Sequence, residues 1–365
     1  MKVAIVHYWL VNMRGGEKVL EAFLEMFPDA DIYTHVYNPK KISDKINNHR
    51  IITSKINKLP FAKKLYQLYL PLIPSALMEL NMQSYDMVIS SESGPAKGVV
   101  PNPDAFHLCY CHSPMRYLWD MYHDYFKMTN PIVRFFMKRL IPGLRLWDQM
   151  SANMVDHFIA NSSYVAKRIK RYYNRDSTVI FPPVDVEKFL SIERKKGDFY
   201  LFLGQLTGYK RADLAIEACI ALGKKLIIAG SGSNLSKYKK YIKCGQIVHC
   251  KYFDEEEMKF LYSTAKALLF PGIEDFGIVP VEAQAAGCPV IAYRGGGAID
   301  TVIENETGLF FDQQTPESLA QKIEFFEKNE GIFEDRGKFT AHVSKFSKKT
   351  FFYGINSVFL KRNRI

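Results

Sequence analysis

The stretch Pro271–Tyr293, PGIEDFGIVPVEAQAAGCPVIAY, decides the fold. It leaves the apolar run Ala267–Phe270 and closes on a second one, and it reads as strand, turn, helix, strand. Glu274 and Asp275 lie in the turn, while Glu282 sits inside an Ala- and Val-rich helix. A carboxylate in an apolar helix costs free energy unless something pairs with it. Units of this kind build open α/β sheets, which collect ligands outside the carboxyl ends of their strands.

The same pattern extends in both directions. Downstream of Pro183, FYLFLG, KLIIAGSG, QIVHCKYF, ALLFPG and CPVIAY read as strands. YKRADLAIEACIAL and DEEEMKFLYSTA read as helices between them, the second opening on acids suited to a helix N-terminus. Upstream, VAIVHYW, ADIYTHV, YDMVISS, FHLCYCH and HFIANS are strand-like and alternate with amphipathic segments. In the first of these, Val19, Leu20, Phe23, Leu24 and Phe27 share a helical face. Alternation of this type predicts two parallel sheets with crossover helices. The Pro182–Pro183 pair marks the connection between them. The expected domains are therefore 1–183 and 184–345, with a last helix over 346–365 packing back on the first.

Composition fits that frame. The 365 residues suit two ordinary domains, and 47% hydrophobic with 24% charged content is that of a globular protein. No apolar run is long enough to span a bilayer, and MKVAIVHYWL reads as a first strand rather than a signal peptide. The six cysteines show no framework spacing, which predicts reduced thiols and a cytoplasmic location; CYCH has no second ligand pair to make a zinc site. The formal charge is +11. Residues 1–180 hold 23 Lys+Arg against 15 Asp+Glu and the remainder 26 against 23, an excess of +8 and +3. An anionic partner is implied: nucleic acid, an anionic bilayer or a phosphorylated substrate.

What lies at the strand ends narrows the choice. Gly15, Gly16 and Glu17 follow the first strand, and His112 follows FHLCYC. Lys210 and Arg211 follow FYLFLG, Gly230 and Gly232 follow KLIIA, and Glu274 to Ile278 follow ALLFP. Backbone amides at helix N-termini bind phosphate, Lys and Arg neutralise it, and carboxylates accept sugar or ribose hydroxyls. Together these describe a pocket for a nucleotide diphosphate joined to a polyhydroxylated group.

In this order the motifs resemble the retaining glycosyltransferases of family 4. EDFGIVPVE fits their Glu-x7-Glu motif, RGGEKVLE their glycine loop and GQLTGYKRADLAIEA their Lys-bearing loop. AGSGSNL with YFDEEEMKFLYSTAKALLFP is similar to their base-binding region, and FPPVDVEKF to their interdomain passage. The resemblance covers nearly the whole chain. It implies the α/β GT-B fold, two facing Rossmann-like domains with parallel sheets. CYCHSPMRYLWDMYHDY is similar to a subgroup of bacterial O-antigen and capsule enzymes, many of them mannosyltransferases.

The resemblance assigns roles. His112, Lys210 and Glu274 are the catalytic candidates: His112 and Glu274 on donor-sugar hydroxyls, Lys210 on the departing diphosphate. Gly15, Gly16, Arg211, Gly230, Gly232, Phe276, Gly277, Ile278 and Glu282 are the donor-binding candidates, with Glu282 on the ribose. Gln205 stands where family members often carry Arg. Residue by residue, plainer readings stay open. Glu274 and Asp275 could cap the helix, Lys210 could be a solvated helix-start cation, and Glu17 reads as structural. Arg116, Tyr117 and Trp119 could line an acceptor or simply pack.

The implied reaction moves a hexose, mannose from GDP-mannose first, to a hydroxyl acceptor with retention of anomeric configuration. No metal or other cofactor is expected, since no Asp-x-Asp stands at a strand end. The implied acceptor is a glycan on a polyprenyl diphosphate, met at the inner face of the cell membrane. SKINKLPFAKKLYQLYLPLIP and NPIVRFFMKRLIPGLRLW mix cations with Leu, Phe, Tyr and Trp. They are either interfacial segments drawn to anionic lipid or core-facing helices with snorkelling cations. The rival classes are another GDP- or UDP-hexose transferase, a sugar-nucleotide epimerase or phosphorylase, and a basic nucleic-acid-binding protein. The last needs clustered cations with stacking aromatics, which the sequence does not display, so no nucleic-acid partner is expected.

Overall fold

A computed structural model describes residues 1–92, 94–242 and 245–362. The chain divides into two units, Met1–Ile180 and Phe181–Ile365. The division falls three residues before the expected one because the Pro-Pro passage is part of the second unit. Phe181 packs on Phe276 and Phe346, and the Val184 amide donates to the Phe346 carbonyl at 2.8 Å. Helix Lys348–Arg362 also counts with the second unit, and its Phe351, Ile355 and Val358 are buried. The last three residues of the expected 346–365 helix, and Cys244 among the expected thiols, lie outside the described residues. The other five cysteines are free thiols, four of them buried.

The first unit is built on β1 (Val3–His7), β2 (Asp31–Thr34), β3 (Ile51–Thr53), β4 (Met87–Glu92), β5 (Phe106–Cys111), β6 (His157–Ala160) and β7 (Ser177–Val179). All pairs are parallel, in the order β3-β2-β1-β4-β5-β6-β7. Every residue of β1 is buried, as expected of a parallel strand covered on both faces. The second unit carries β8 (Phe199–Leu203), β9 (Lys225–Ala229), β10 (Ile247–Cys250), β11 (Leu268–Phe270), β12 (Val290–Tyr293) and β13 (Gly308–Phe311). Its order is β10-β9-β8-β11-β12-β13, again all parallel. Both sheets follow the doubly wound, Rossmann-like scheme, reversing strand order at β1/β4 and at β8/β11. Those reversals are the topological switch points where such sheets open a crevice.

The two basic apolar segments both belong to the first unit and take different forms. Residues 55–78 are four short helical pieces, broken by an internal Pro71 and by the positive φ of Phe61. Residues 131–152 are one long helix, started by Asn130, whose side chain accepts the Val133 amide, and by Pro131 in its first turn. They meet over the turn Ala96–Gly98, where a Cβ on Gly98 would lie 2.4 Å from Trp147 and 3.2 Å from Leu77. A buried ion pair, Lys97 with Asp148, fixes the long helix there, and the Trp119 indole donates to the same carboxylate at 2.8 Å. No helix among the described residues is long and apolar enough to cross a membrane.

The N-terminal half of the long helix leaves its apolar stripe uncovered. Ile132, Phe135, Phe136 and Leu140 recur at helical spacing and are 71%, 59%, 55% and 39% exposed. Lys138 and Arg139 stand exposed beside them. Phe61, Leu65, Leu68 and Leu72 of the broken segment are exposed as well. For these residues the core-facing alternative does not hold.

Candidate active site

Each unit gathers its candidate residues at its own switch point. In the first, the parallel register sets His7 beside Ser91, and β5 runs on to His112. The Ser91 hydroxyl bridges the two rings, 3.3 Å from His7 Nδ1 and 2.9 Å from His112 Nε2. On its far side, His7 Nε2 lies 3.4 Å from Glu17 Oε1. Glu17 occupies the first turn of helix Gly15–Met26, where its other oxygen accepts the Arg14 amide at 2.9 Å. Gly15 and Gly16 open this helix. A Cβ at position 16 would lie 3.5 to 3.7 Å from His7, Tyr8 and His112, ordinary van der Waals contact, so the helix start runs close to both imidazoles.

The electrostatics of this cluster follow from burial. Burial and the neighbouring His7 lower the His112 pKa to about 3, against an upward pull from Glu17, so the ring is neutral. Glu17 is also held below the usual carboxylate range: burial raises it, but His7 and the amides of Glu17 and Arg14 more than offset that. The main chain of His112 is held too, its carbonyl accepting from the Asn161 amide at 2.9 Å. His7, Ser91 and Asn161 are missing from the candidates that sequence supplies. Their signal, a polar residue closing an apolar strand, is visible only once the strand order is known.

In the second unit the loops after β8 and β11 bring Lys210 and Glu274 together. Lys210 ends the short turn Gly208–Lys210, and its ammonium lies 2.8 Å from Glu274 Oε1, both side chains mostly shielded. Beside them starts the helix Ile278–Ala285, capped by Gly277 at φ +95°, a conformation that favours glycine. Pro280 lies in its first turn. Among the described residues, the N–H groups of Gly277 and Ile278 meet no backbone or side-chain acceptor. Phe276 is buried against Phe181 and Phe346, so its ring is a core residue and its main chain alone faces the loop. A cation, a carboxylate and helix N-terminal amides thus share one strand-end crevice, a combination suited to an anion carrying hydroxyl groups.

Glu282 lies in the second turn of that helix, half-buried, and accepts the Tyr262 hydroxyl at 3.0 Å. Its pKa rises to about 7: burial raises it, the Tyr262 bond lowers it, Asp185 raises it and Lys188 lowers it. Tyr262, from helix Glu255–Thr264, is therefore what holds the Glu282 carboxylate.

The remaining candidates are placed as follows. Arg211, at φ +53°, turns its guanidinium onto Asp213 at 2.9 to 3.2 Å. Gly230 sends its amide to the Cys250 carbonyl at 2.8 Å, so that donor is committed within the sheet. A Cβ there would stand 2.1 Å from the Gly204 carbonyl oxygen, and one on Gly232 2.5 Å from that of Leu206, so close passage of two loops requires both glycines. Gln205 is exposed. Among the described residues no three His, Cys, Asp or Glu side chains gather as metal ligands.

Two family models match the chain, each over one of these units. Glycosyltransferase Family 4 matches residues 13–188 and Glycosyl transferases group 1 matches residues 184–346. Among curated proteins, alpha-1,3/1,6-mannosyltransferase ALG2 of Homo sapiens is 28% identical over 228 residues, 52% of this chain and 55% of that protein. D-inositol 3-phosphate glycosyltransferase of Corynebacterium glutamicum is 28% identical over 211 residues, 49% and 50%. The chain spans about half to three fifths of the length of the curated relatives it matches. Among solved structures, Anabaena HepE in complex with UDP superimposes with a TM-score of 0.71 at 14% identity, covering 99% of this chain and 100% of that one. That likeness shows the GT-B fold.

Proposed function

We propose that the chain, matched along its two units by the glycosyltransferase family 4 and group 1 models, moves a hexose from a nucleotide-sugar to a hydroxyl acceptor with retention at the anomeric carbon. The carrying observation is the Lys210–Glu274 pair at 2.8 Å beside the helix N-terminus at Ile278. When the glycosidic bond breaks, the leaving diphosphate gains negative charge. Lys210 and the amides of Gly277 and Ile278 favour that charge more in the transition state than before it, which is the condition for catalysis. Glu274 accepts hydroxyls of the sugar, and its ion pair with Lys210 holds both side chains in the crevice. Glu282 accepts the ribose hydroxyls in place of Tyr262, and neutral His112 bonds a further sugar hydroxyl. The charge is met by cation and dipole, with no metal assigned to the step.

The donor we assign is GDP-mannose, and the acceptor a glycan on a polyprenyl diphosphate in O-antigen or capsule synthesis. The mannosyltransferase relative supports the sugar. The exposed stripe Ile132–Phe135–Phe136–Leu140, with Lys138 and Arg139 beside it, supports peripheral contact with an anionic bilayer at the cytoplasmic face, where such an acceptor is held. The test is a panel of nucleotide-sugars without added metal, reading nucleoside diphosphate release. Fastest release from GDP-mannose is expected. Faster release from a UDP-hexose would move the donor to that second reading, and release from none would overturn the transferase.

A further inference from the structure

The first unit holds four polar side chains in one line: Glu17, His7, Ser91 and His112. Glu17, His7 and Ser91 are buried, so each hydrogen bond among them must carry its proton in a definite place. We propose that this line is a directed hydrogen-bond chain in which Ser91, His7 and Glu17 act as positioning residues, fixing the tautomer of His112 so that its Nδ1 accepts a hydroxyl proton of the bound sugar or of the acceptor.

The direction is set by Glu17 together with a single proton on His7. Glu17 is an ionised carboxylate: it accepts the Arg14 amide through Oε2 and lies in a helix first turn, where negative charge is favoured. It can only accept, so the proton between Glu17 and His7 sits on His7 Nε2. On the proposal, His7 carries that one proton alone, so that its Nδ1 lone pair accepts the single Ser91 hydroxyl proton. Having donated that proton, Ser91 Oγ can only accept from its other neighbour, so His112 carries its proton on Nε2. The second ring nitrogen of His112 is left as an acceptor. Its carbonyl is fixed by Asn161 and its ring lies edge-on to Tyr110, 5.1 Å between centroids, so orientation and tautomer are both set. An imidazolium at His7 would drive the chain the other way: Nδ1–H to Ser91, Ser91 to His112 Nε2, and the proton on His112 Nδ1. The His112 tautomer therefore reports the direction directly.

The chain's geometry is independent of the transferase reading; the hydroxyl it meets rests on it. The experiment has matching arms. Nitrogen-15 NMR of the full chain labelled at histidine, at pH 7.5, with His112→Gln to assign the signal, is expected to show His112 as the Nε2–H tautomer. Ser91→Ala should give a mixed or inverted tautomer and lower kcat/KM about tenfold, the worth of one directed hydrogen bond. Ser91→Thr, which retains the hydroxyl, should restore both, with thermal melts recorded beside them. His112 found as the Nδ1–H tautomer in the native chain would overturn the proposal, as would Ser91→Ala leaving both tautomer and turnover unchanged. Absence of turnover with every nucleotide-sugar would instead remove the transferase reading and leave the tautomer result standing.

Discussion

Lys210 and Glu274 pose the sharpest question at the scale of single residues, because a salt bridge can serve stability or chemistry. A mostly shielded pair at 2.8 Å is worth at most a few kcal/mol to folding, after the cost of desolvating both charges. Stabilising a departing diphosphate is a larger effect, since the charge develops in a site already aimed at it. Lys210→Ala and Glu274→Gln are therefore each expected to lower kcat about 10²- to 10³-fold, while thermal melts move by only a few degrees. Equal collapse of folding in both variants would return the pair to a structural role. Glu282 has a pH signature of its own. Its folded pKa of about 7 lies above the ordinary carboxylate value of 4.5. The folded chain therefore holds a proton that the unfolded chain loses, and stability falls as pH rises from 4.5 through 7. Glu282→Gln should stabilise the ligand-free protein at pH 8 by about 1–3 kcal/mol, read by chemical denaturation. A ribose hydroxyl favours the ionised carboxylate, so nucleoside diphosphate should bind more tightly as pH rises through 7, with proton release visible by calorimetry in two buffers. An affinity flat in pH would show that Glu282 does not meet the nucleotide.

At the scale of elements, the long helix Pro131–Ala152 is fixed at one end and uncovered at the other. Asp148, near its C-terminus, receives Lys97 and Trp119 in a buried cluster, while Ile132, Phe135, Phe136 and Leu140 near its N-terminus are exposed. Replacing Phe135 and Phe136 together by Ser removes apolar surface that folding does not bury. The melt should therefore stay within a degree or two, while co-sedimentation with anionic phosphatidylglycerol vesicles should weaken about tenfold or more. Binding by the native chain should also weaken with salt, because the cations beside the stripe act through water. Equal recovery on zwitterionic and anionic vesicles, or none on either, would sink the membrane contact. The same helix shows what a sequence carries. Its basic amphipathic period is legible, but whether the apolar face meets core or solvent depends on neighbours far along the chain. The central strand β1 is legible because burial on both faces writes it as an apolar run up to His7, and β5 because most of its positions are apolar. The short strands β3, β7 and β13, three or four residues each, carry too few positions for any period to show. Site residues behave likewise. Lys210 and Glu274 could be named from their places after strands and Glu282 as a carboxylate in an apolar helix, whereas the partners Glu274 for Lys210, Tyr262 for Glu282 and Ser91 for His112 depend on register and helix packing.

For the whole molecule, the two units differ in how protons act on them. His35, His107 and His112 all lie in the first unit, and burial lowers their pKa values to about 4, 4 and 3. Two of these rings have their roles fixed by neighbours. His107 lies 3.0 Å from the Ser90 hydroxyl at Nε2 and 3.0 Å from the Met154 carbonyl at Nδ1, and His112 reaches Ser91. Each folded pKa lies below the unfolded value near 6.5, so the unfolded chain gains protons first on acidification. Their contribution is present above pH 6.5 and is lost progressively as pH falls toward 4 and 3. Near pH 5 the three together should lower stability by about 3–4 kcal/mol per pH unit. The second unit has one histidine displaced in the same direction, His342, and against it Glu282, which favours folding more as pH falls through 7 toward 4.5. The opposing protons make that unit less sensitive over the same range. Acidification from pH 7.5 to 5 should therefore bring the first unit's unfolding to markedly lower denaturant while the second moves less. Trp9, Trp119 and Trp147 all belong to the first unit, so intrinsic Trp fluorescence follows it alone, and far-ultraviolet circular dichroism follows both. The two signals should coincide more closely at pH 7.5 than at pH 5, and His107→Gln should narrow the gap at pH 5 by removing one proton from the balance. Coincident transitions at both pH values would mean that the units unfold together and that the buried histidines of the first are not what sets its acid limit.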